Sequence, residues 1–204
     1  MVKLNLYEIE KYFSSRNLSI FATNEVAQQF NVKKRTAESF LVYNIKKGAI
    51  IRLKAGLFTL AGHPAHEFTV ANRLYLPSYI SLETALSYHH LIPETVYAIT
   101  SITSKATREF KTLDRLYSYN KIKTAAFTGY DLIPAGGTNV YFANLEKAVA
   151  DFLYFVFLGK KLYNDRLDWS KINWTKLEIY LKLFSQKKLI KFAKLMKNTY
   201  DRQK

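Results

Sequence analysis

The chain has no cysteine among its 204 residues. Disulfides, thiol nucleophiles and zinc–thiolate sites are therefore excluded. No apolar run approaches the roughly 20 residues that a membrane-spanning helix needs. The opening residues, MVKLNLYEIEKYF, mix charged and apolar positions and lack the apolar centre of a signal peptide, so a cytoplasmic protein is expected. Internal repeats and low-complexity tracts are also missing. Acidic residues are scarce: 31 Lys and Arg stand against 16 Asp and Glu, a formal net charge of +15. An excess of that size selects partners of opposite sign, whether nucleic acid, an acidic protein or an anionic membrane surface.

What the chain does have is apolar content, 49% of its residues, enough for one large core or two small ones. Its charge is concentrated at the two ends. Residues 1–62 carry 10 basic and 4 acidic residues, a net of +6. Residues 63–158 carry 8 of each, and residues 159–204 carry 13 against 4, a net of +9. Screening confines each basic region to about 8–10 Å of reach at physiological salt, so each needs its own explanation.

The first basic region has the pattern of a helix-turn-helix with a wing. Leu4, Tyr7, Ile9, Tyr12 and Phe13 lie near helical spacing and predict a first helix. TNEVAQQF predicts a short second one with Val26, Ala27 and Phe30 on one side, and Asn31–Val32 a turn. KKRTAESFLVYNIKKG predicts a longer third helix ending at Gly48. Its stripe is Ala37, Leu41 and Ile45, widened by Phe40 and Tyr43, with Arg35, Glu38, Ser39 and Val42 on the outer side. AIIRL and LFTL then predict two strands joined through Gly56.

Three cations at the start of the third helix oppose its dipole, at a cost of a few tenths of a kcal/mol to about 1 kcal/mol. An anion is the natural complement. Lys33 and Lys34 are expected to hold DNA phosphates, and Arg35, Thr36 and Ser39 to lie where base edges are read. Arg52 and Lys54 are the wing residues placed to meet the DNA backbone.

GHPAH, residues 62–66, interrupts both periodicities and predicts a boundary, giving a DNA-binding domain of 1–62 and a second domain of 63–204. Within the second domain, EFTVANRLY and SLETALSYHHL predict helices, the latter with Ser81 as N-cap. TVYAITSIT predicts a strand. REFKTLDRLYSYNKIK, TAAFTGYDLI and GGTNVYFA add short strands and turns, and a small antiparallel sheet is expected from them. Asn144 is placed to cap the densely apolar helix LEKAVADFLYFVFLG. From Lys160 onward a connector and two helices are expected. In the last, Leu189, Phe192, Ala193, Met196 and Tyr200 form one apolar stripe, while Lys187, Lys188, Lys191 and Lys194 form a secondary basic patch. The fold class is therefore α+β.

The order of a helix-turn-helix, a wing ending KAGLFTLAG, then LPSYISLETALSYHHLIPE, a β-rich stretch and ANLEKAVADFLYF resembles the AbiEi family of antitoxins and antitoxin-like transcriptional regulators. The resemblance covers roughly residues 10–160, and its more specific parts are YISLETAL…HHLI and LEKAVADFL. Before the Leu-Ile of the first of these, family members commonly have Gly where this chain has His90. The resemblance implies a winged helix that binds inverted repeats in the promoter of its own toxin–antitoxin operon. It also implies a second domain that counteracts a nucleotidyltransferase-type toxin without forming a stable complex, as part of abortive infection against phage.

Catalytic constellations are sparse, and neither enzyme activity, cofactor, metal nor membrane partner is expected. Neither His63 and His66 nor His89 and His90 has the i, i+4 spacing of a helical zinc site. Gly136–Gly137 lacks the Lys and Ser/Thr of a phosphate loop. Ser81 and Ser87 have no base and acid partners in view. Two alternatives stay open. One is a metal-dependent nuclease that gathers Glu83, Asp131, Glu146 and Asp151; the other is a protein inhibitor that binds an acidic partner through its basic C-terminal helices.

Overall fold

The first six elements build a small helical unit closed by a sheet. The computed structural model describes residues 4–203. Helix α1 (Leu6–Ser15) starts at Asn5, whose side chain accepts from the Tyr7 N–H, and it buries Ile9 and Phe13 one turn apart. Strand β1 (Ile20–Ala22) leads into α2 (Thr23–Gln29). Phe30, Asn31 and Val32 close that helix: Asn31 takes a φ of +48° and the Val32 N–H reaches back to the Ala27 carbonyl. Asparagine tolerates this left-handed conformation, so the Asn-Val turn is local chemistry. Helix α3 (Lys34–Lys46) follows at once and stops at Gly48, at φ +75°. Ile9, Phe13, Phe21, Val26, Ala37, Leu41, Ile50, Phe58 and Leu60 form the core of this unit.

Strands β2 (Ile50–Lys54) and β3 (Leu57–Leu60) pair antiparallel across a turn in which Gly56 sits at φ +74°. The sheet has three strands, ordered β1-β3-β2, because Ile20–Ala22 pairs with β3. A three-residue strand carries too little alternation to be read from sequence.

Beyond residue 62 the second sheet differs from expectation. It is mixed and six-stranded, ordered β6-β7-β5-β4-β9-β8. Its strands are β4 (Ser78–Ile80), β5 (Ile99–Thr103), β6 (Arg108–Thr112), β7 (Arg115–Lys121), β8 (Tyr130–Ala135) and β9 (Thr138–Ala143). Two antiparallel hairpins, β6–β7 and β8–β9, flank the antiparallel centre β4–β5, and each joins it by a parallel pairing. The sequence pattern marks strands but not their partners, which is why the parallel junctions were invisible in it. Gly136 and Gly137 form the two-residue turn of the β8–β9 hairpin.

Helices α4 (Glu67–Leu74) and α5 (Leu82–Tyr88) pack with this sheet, and α6 (Leu145–Phe157) packs on α5 and reaches β4 where Asp151 meets Tyr79. A short 3₁₀ turn (Trp169–Lys171), α7 (Trp174–Leu183) and α8 (Lys187–Gln203) complete the described chain. Leu177, Leu181, Leu189 and Ala193 from α7 and α8 join the large core around Tyr79, Tyr117, Tyr119, Phe142 and Phe152. Ile20, Leu53 and Leu57 also belong to that core, so one face of the small sheet is sealed against the larger unit. Thr59 on β3 strengthens the junction by donating to the Ser19 carbonyl at 2.7 Å and accepting from the Ala65 N–H at 3.2 Å.

Candidate nucleic-acid interface

The outer face of α3 gathers the first set of sequence-predicted residues. Ala37 and Leu41 are fully buried, which fixes the rotation of the helix. Lys33, Lys34, Arg35, Thr36 and Ser39 are all exposed as a result. Lys33 is the N-cap, makes no side-chain cap bond, and no acid occupies the first turn. The positive end of the helix is thus uncapped by side chains and ringed by cations. Lys34 lies 4.0 Å from Glu38 with both side chains more than half exposed, a pairing worth little in water.

One residue of this helix contradicts its expected place. Tyr43 is 56% exposed rather than part of the buried stripe, and Lys47 lies 4.6 Å from its ring centroid. At about 100° per residue, Tyr43 falls roughly 140° from the centre of a stripe built on Ala37 and Leu41. The position it was expected to share is taken by Asn44, buried with its amide donating to the Phe40 carbonyl at 2.9 Å. Counting apolar residues hid a polar core position and an outward aromatic.

The two residues expected in a wing divide. Arg52 is exposed, its guanidinium 5.9 Å from the Phe58 ring centroid. Lys54 is half-buried, and its ammonium donates to the Leu74 carbonyl at 2.6 Å, so it ties the β2–β3 hairpin to the end of α4. Burial, then the nearby Arg108, Arg73 and Lys105, pull the Lys54 ammonium below its ordinary range. The turn beside it stays close to α3: Ala55, Gly56, Lys34 and Glu38 line one cleft of about 300 Å³.

The second basic patch has the form of a solvated helix face. Lys187, Lys188, Lys191 and Lys194 are exposed, while Leu189 and Ala193 are buried against α6 and α7. Lys194 also lies 5.9 Å from the Trp174 ring centroid.

The proposed nuclease carboxylates are not brought together. Asp131 is exposed on β8. Glu83 pairs with Lys161 at 2.5 Å, and Glu146 accepts from the Asn173 backbone N–H at 3.3 Å. Asp151 is fully buried. It accepts from Lys147 Nζ at 2.6 Å, Ser81 Oγ at 2.8 Å and Tyr79 Oη at 2.9 Å. Burial pushes its carboxyl above the usual carboxylate range, against the opposing pull of Lys147, Ser81 and Tyr79. Among the described residues, no group of three His, Cys, Asp or Glu side chains is arranged to hold a metal ion.

This buried cluster corrects the reading of Ser81 as a side-chain N-cap. Ser81 does stand at the N-cap of α5, but its hydroxyl is committed to Asp151. Thr100 on β5 takes over: its Oγ accepts from the Thr84 N–H at 3.1 Å and donates to the Ser81 carbonyl at 2.7 Å. Ser87 donates to the Glu94 carbonyl, and His89 Nε2 bonds the Ala143 carbonyl oxygen at 2.9 Å. His66 caps α4, its Nδ1 accepting from the Phe68 N–H. Asn144 accepts from the Lys147 N–H and caps α6 as its sequence suggests.

A cleft of about 660 Å³ separates α1 and α2 from α4 and β9. Its charged lining residues are Glu25 and Arg73, which neutralise each other across it at 3.3 Å. No model of a known protein family matches the chain, and no curated protein matches it significantly.

Proposed function

We propose that residues 1–62 form a winged helix-turn-helix that binds double-stranded DNA in a sequence-specific manner, and that the chain is an antitoxin-like repressor of its own operon. The observation that carries the reading is the first turn of α3. Lys33, Lys34, Arg35 and Thr36 are exposed there with no acid and no side-chain cap, on a helix locked in rotation by Ala37 and Leu41. A helix start in that state is complementary to phosphate. The turn at Gly56 beside Lys34 supports a wing that touches backbone next to the groove entered by α3. Tyr43, Arg52 and Lys46 extend the same exposed surface.

The second half of the proposal, antagonism of a nucleotidyltransferase-type toxin by residues 63–204, rests on the sequence resemblance. Its two specific segments supply the buried cluster: Tyr79 and Ser81 from one, Lys147 and Asp151 from the other. That explains why these residues occur together as a folding requirement, and it leaves the surface of the domain free for a partner.

Two assays test the reading. A mobility shift with the DNA upstream of the coding sequence is expected to show a salt-sensitive complex that Lys34→Ala weakens on all sequences alike. Co-expression with the product of the adjacent reading frame is expected to relieve its toxicity. Cleavage of plasmid with Mg²⁺ or Mn²⁺, in place of a shift, overturns the repressor reading in favour of a nuclease.

A further inference from the structure

A second set of cations lies where the wing meets the larger domain, away from α3. Lys54 comes from the end of β2, Lys105 from the loop after β5, and Arg108 from the start of β6. All three converge on two half-buried aromatic rings, Tyr75 after α4 and Phe110 on β6. Arg108 lies 5.7 Å from the Tyr75 centroid and 5.8 Å from that of Phe110. Lys105 lies 5.8 Å from Tyr75, and Lys54 6.0 Å from Phe110. The rings themselves are 6.0 Å apart and both rest on buried Tyr119, so they form a fixed platform.

Three like charges drawn from three chain segments onto one platform repel one another. Among the described residues none of the three forms an ion pair; nearby Arg73 does, with Glu25. The neighbouring acid on β6, Glu109, alternates to the opposite face of that strand from Arg108 and Phe110. Positive potential left unneutralised over a rigid surface is the physical signature of a polyanion site.

Position selects the polyanion. The patch is continuous with the surface assigned above to DNA. Lys34 and Gly56 line one small cleft, Lys54 stands two residues before Gly56, and β2 and β6 meet where Thr112 Oγ1 donates to the Arg52 carbonyl at 3.4 Å. A path therefore runs from the start of α3, over the wing turn, to Arg108 and Lys105. We propose that Lys54, Lys105 and Arg108, framed by Tyr75 and Phe110, are a second phosphate-backbone site that holds duplex DNA beyond the segment read by α3. This deepens, and rests on, the DNA-binding reading.

The test uses the full chain and two duplexes, one trimmed to the segment read by α3 and one extended beyond it by about one helical turn, roughly 10 base pairs, at each end. Affinity is read by fluorescence anisotropy across a salt series. Lys105 and Arg108 are both exposed, so the Lys105→Ala/Arg108→Ala variant is expected to keep the wild-type circular dichroism and melting temperature. On the extended duplex it is expected to lower the salt slope by about 1.8, at about 0.9 per lost phosphate contact, or about 12-fold in affinity over a fourfold salt range. On the trimmed duplex it is expected to match wild type, and Lys105→Arg/Arg108→Lys is expected to restore the slope.

Wild-type binding with an unchanged slope in the double variant overturns this proposal alone. No wild-type binding to any duplex overturns it together with the reading beneath it. Tighter binding to single-stranded DNA or RNA that the double variant loses overturns it too, and reassigns Tyr75 and Phe110 to base stacking.

Discussion

Replacing Asp151 with Asn is expected to be among the most damaging conservative changes available in this chain. The carboxylate is fully buried and accepts from Lys147, Ser81 and Tyr79. Lys147 is fully buried as well, its ammonium 4.8 Å from the Phe184 ring centroid. Asparagine fills the same space but leaves that ammonium without a counter-charge, and removing one partner of a buried pair costs about 3–5 kcal/mol. For a chain of this length about 2–4 °C is lost per kcal/mol, so the melting temperature is expected to fall by roughly 6–20 °C. The pair itself need not be favourable. Lys147→Met/Asp151→Leu removes both desolvation penalties together, and such exchanges are neutral or stabilising by about 1–4 kcal/mol when they pack well. Tyr79→Phe and Ser81→Ala each remove one hydrogen bond to a charged group, about 1.5–3 kcal/mol. Urea and thermal unfolding of the set measures all four. An Asp151→Asn variant within about 1 kcal/mol of wild type, or a double variant less stable than the single, refutes the reasoning.

Two further outcomes follow from local geometry. His90 ends α5 at φ +54°, with its own N–H on the Ser87 carbonyl and the Leu91 N–H on the Leu86 carbonyl, the position at which glycine is favoured. His90→Gly is expected to raise stability by about 0.5–1 kcal/mol, and His90→Val to lower it, by urea denaturation. Asp168 is held down to about 2, first by the Ser170 hydroxyl and then by Tyr200 of α8. Its contribution is therefore present above the ordinary value of 3.8 and is lost as pH falls from 3.8 toward about 2. Trp169 fluorescence is expected to report loosening of α8 over that window, and Asp168→Asn to abolish the pH dependence.

Much of the fold was legible because its signals are local. The Ala37 and Leu41 positions of α3, the Asn31 turn, the Asn144 cap and the apolar face of α8 are each written within a few residues and form as their patterns dictate, whereas Tyr43 and Asn44 exchange the places expected of them. What was hidden depends on distant partners. Ile20–Ala22 becomes a strand because β3 is beside it, and β4 joins β9 through a parallel pairing that no periodicity announces. The candidate site shows the same division. The exposed cations of α3 follow from helical spacing. The Leu74 carbonyl that holds Lys54 lies 20 residues away, beyond the reach of any local pattern. Lys105 and Arg108 carry no pattern as single cations in a neutral stretch until β6 folds beside β2.

The central claim, that α3 reads DNA sequence, is tested most directly by a ratio. Dissociation constants for the upstream duplex and for a scrambled duplex of equal length and composition are measured in the same salt, for the wild-type chain and for Arg35→Ala. A groove-reading contact at Arg35 is worth about 1–3 kcal/mol of discrimination. The account predicts a wild-type preference that Arg35→Ala cuts by roughly 5- to 150-fold while its binding to the scrambled duplex changes far less. Equal affinity of the wild-type chain for both duplexes, or an Arg35→Ala variant with the wild-type preference intact, contradicts it.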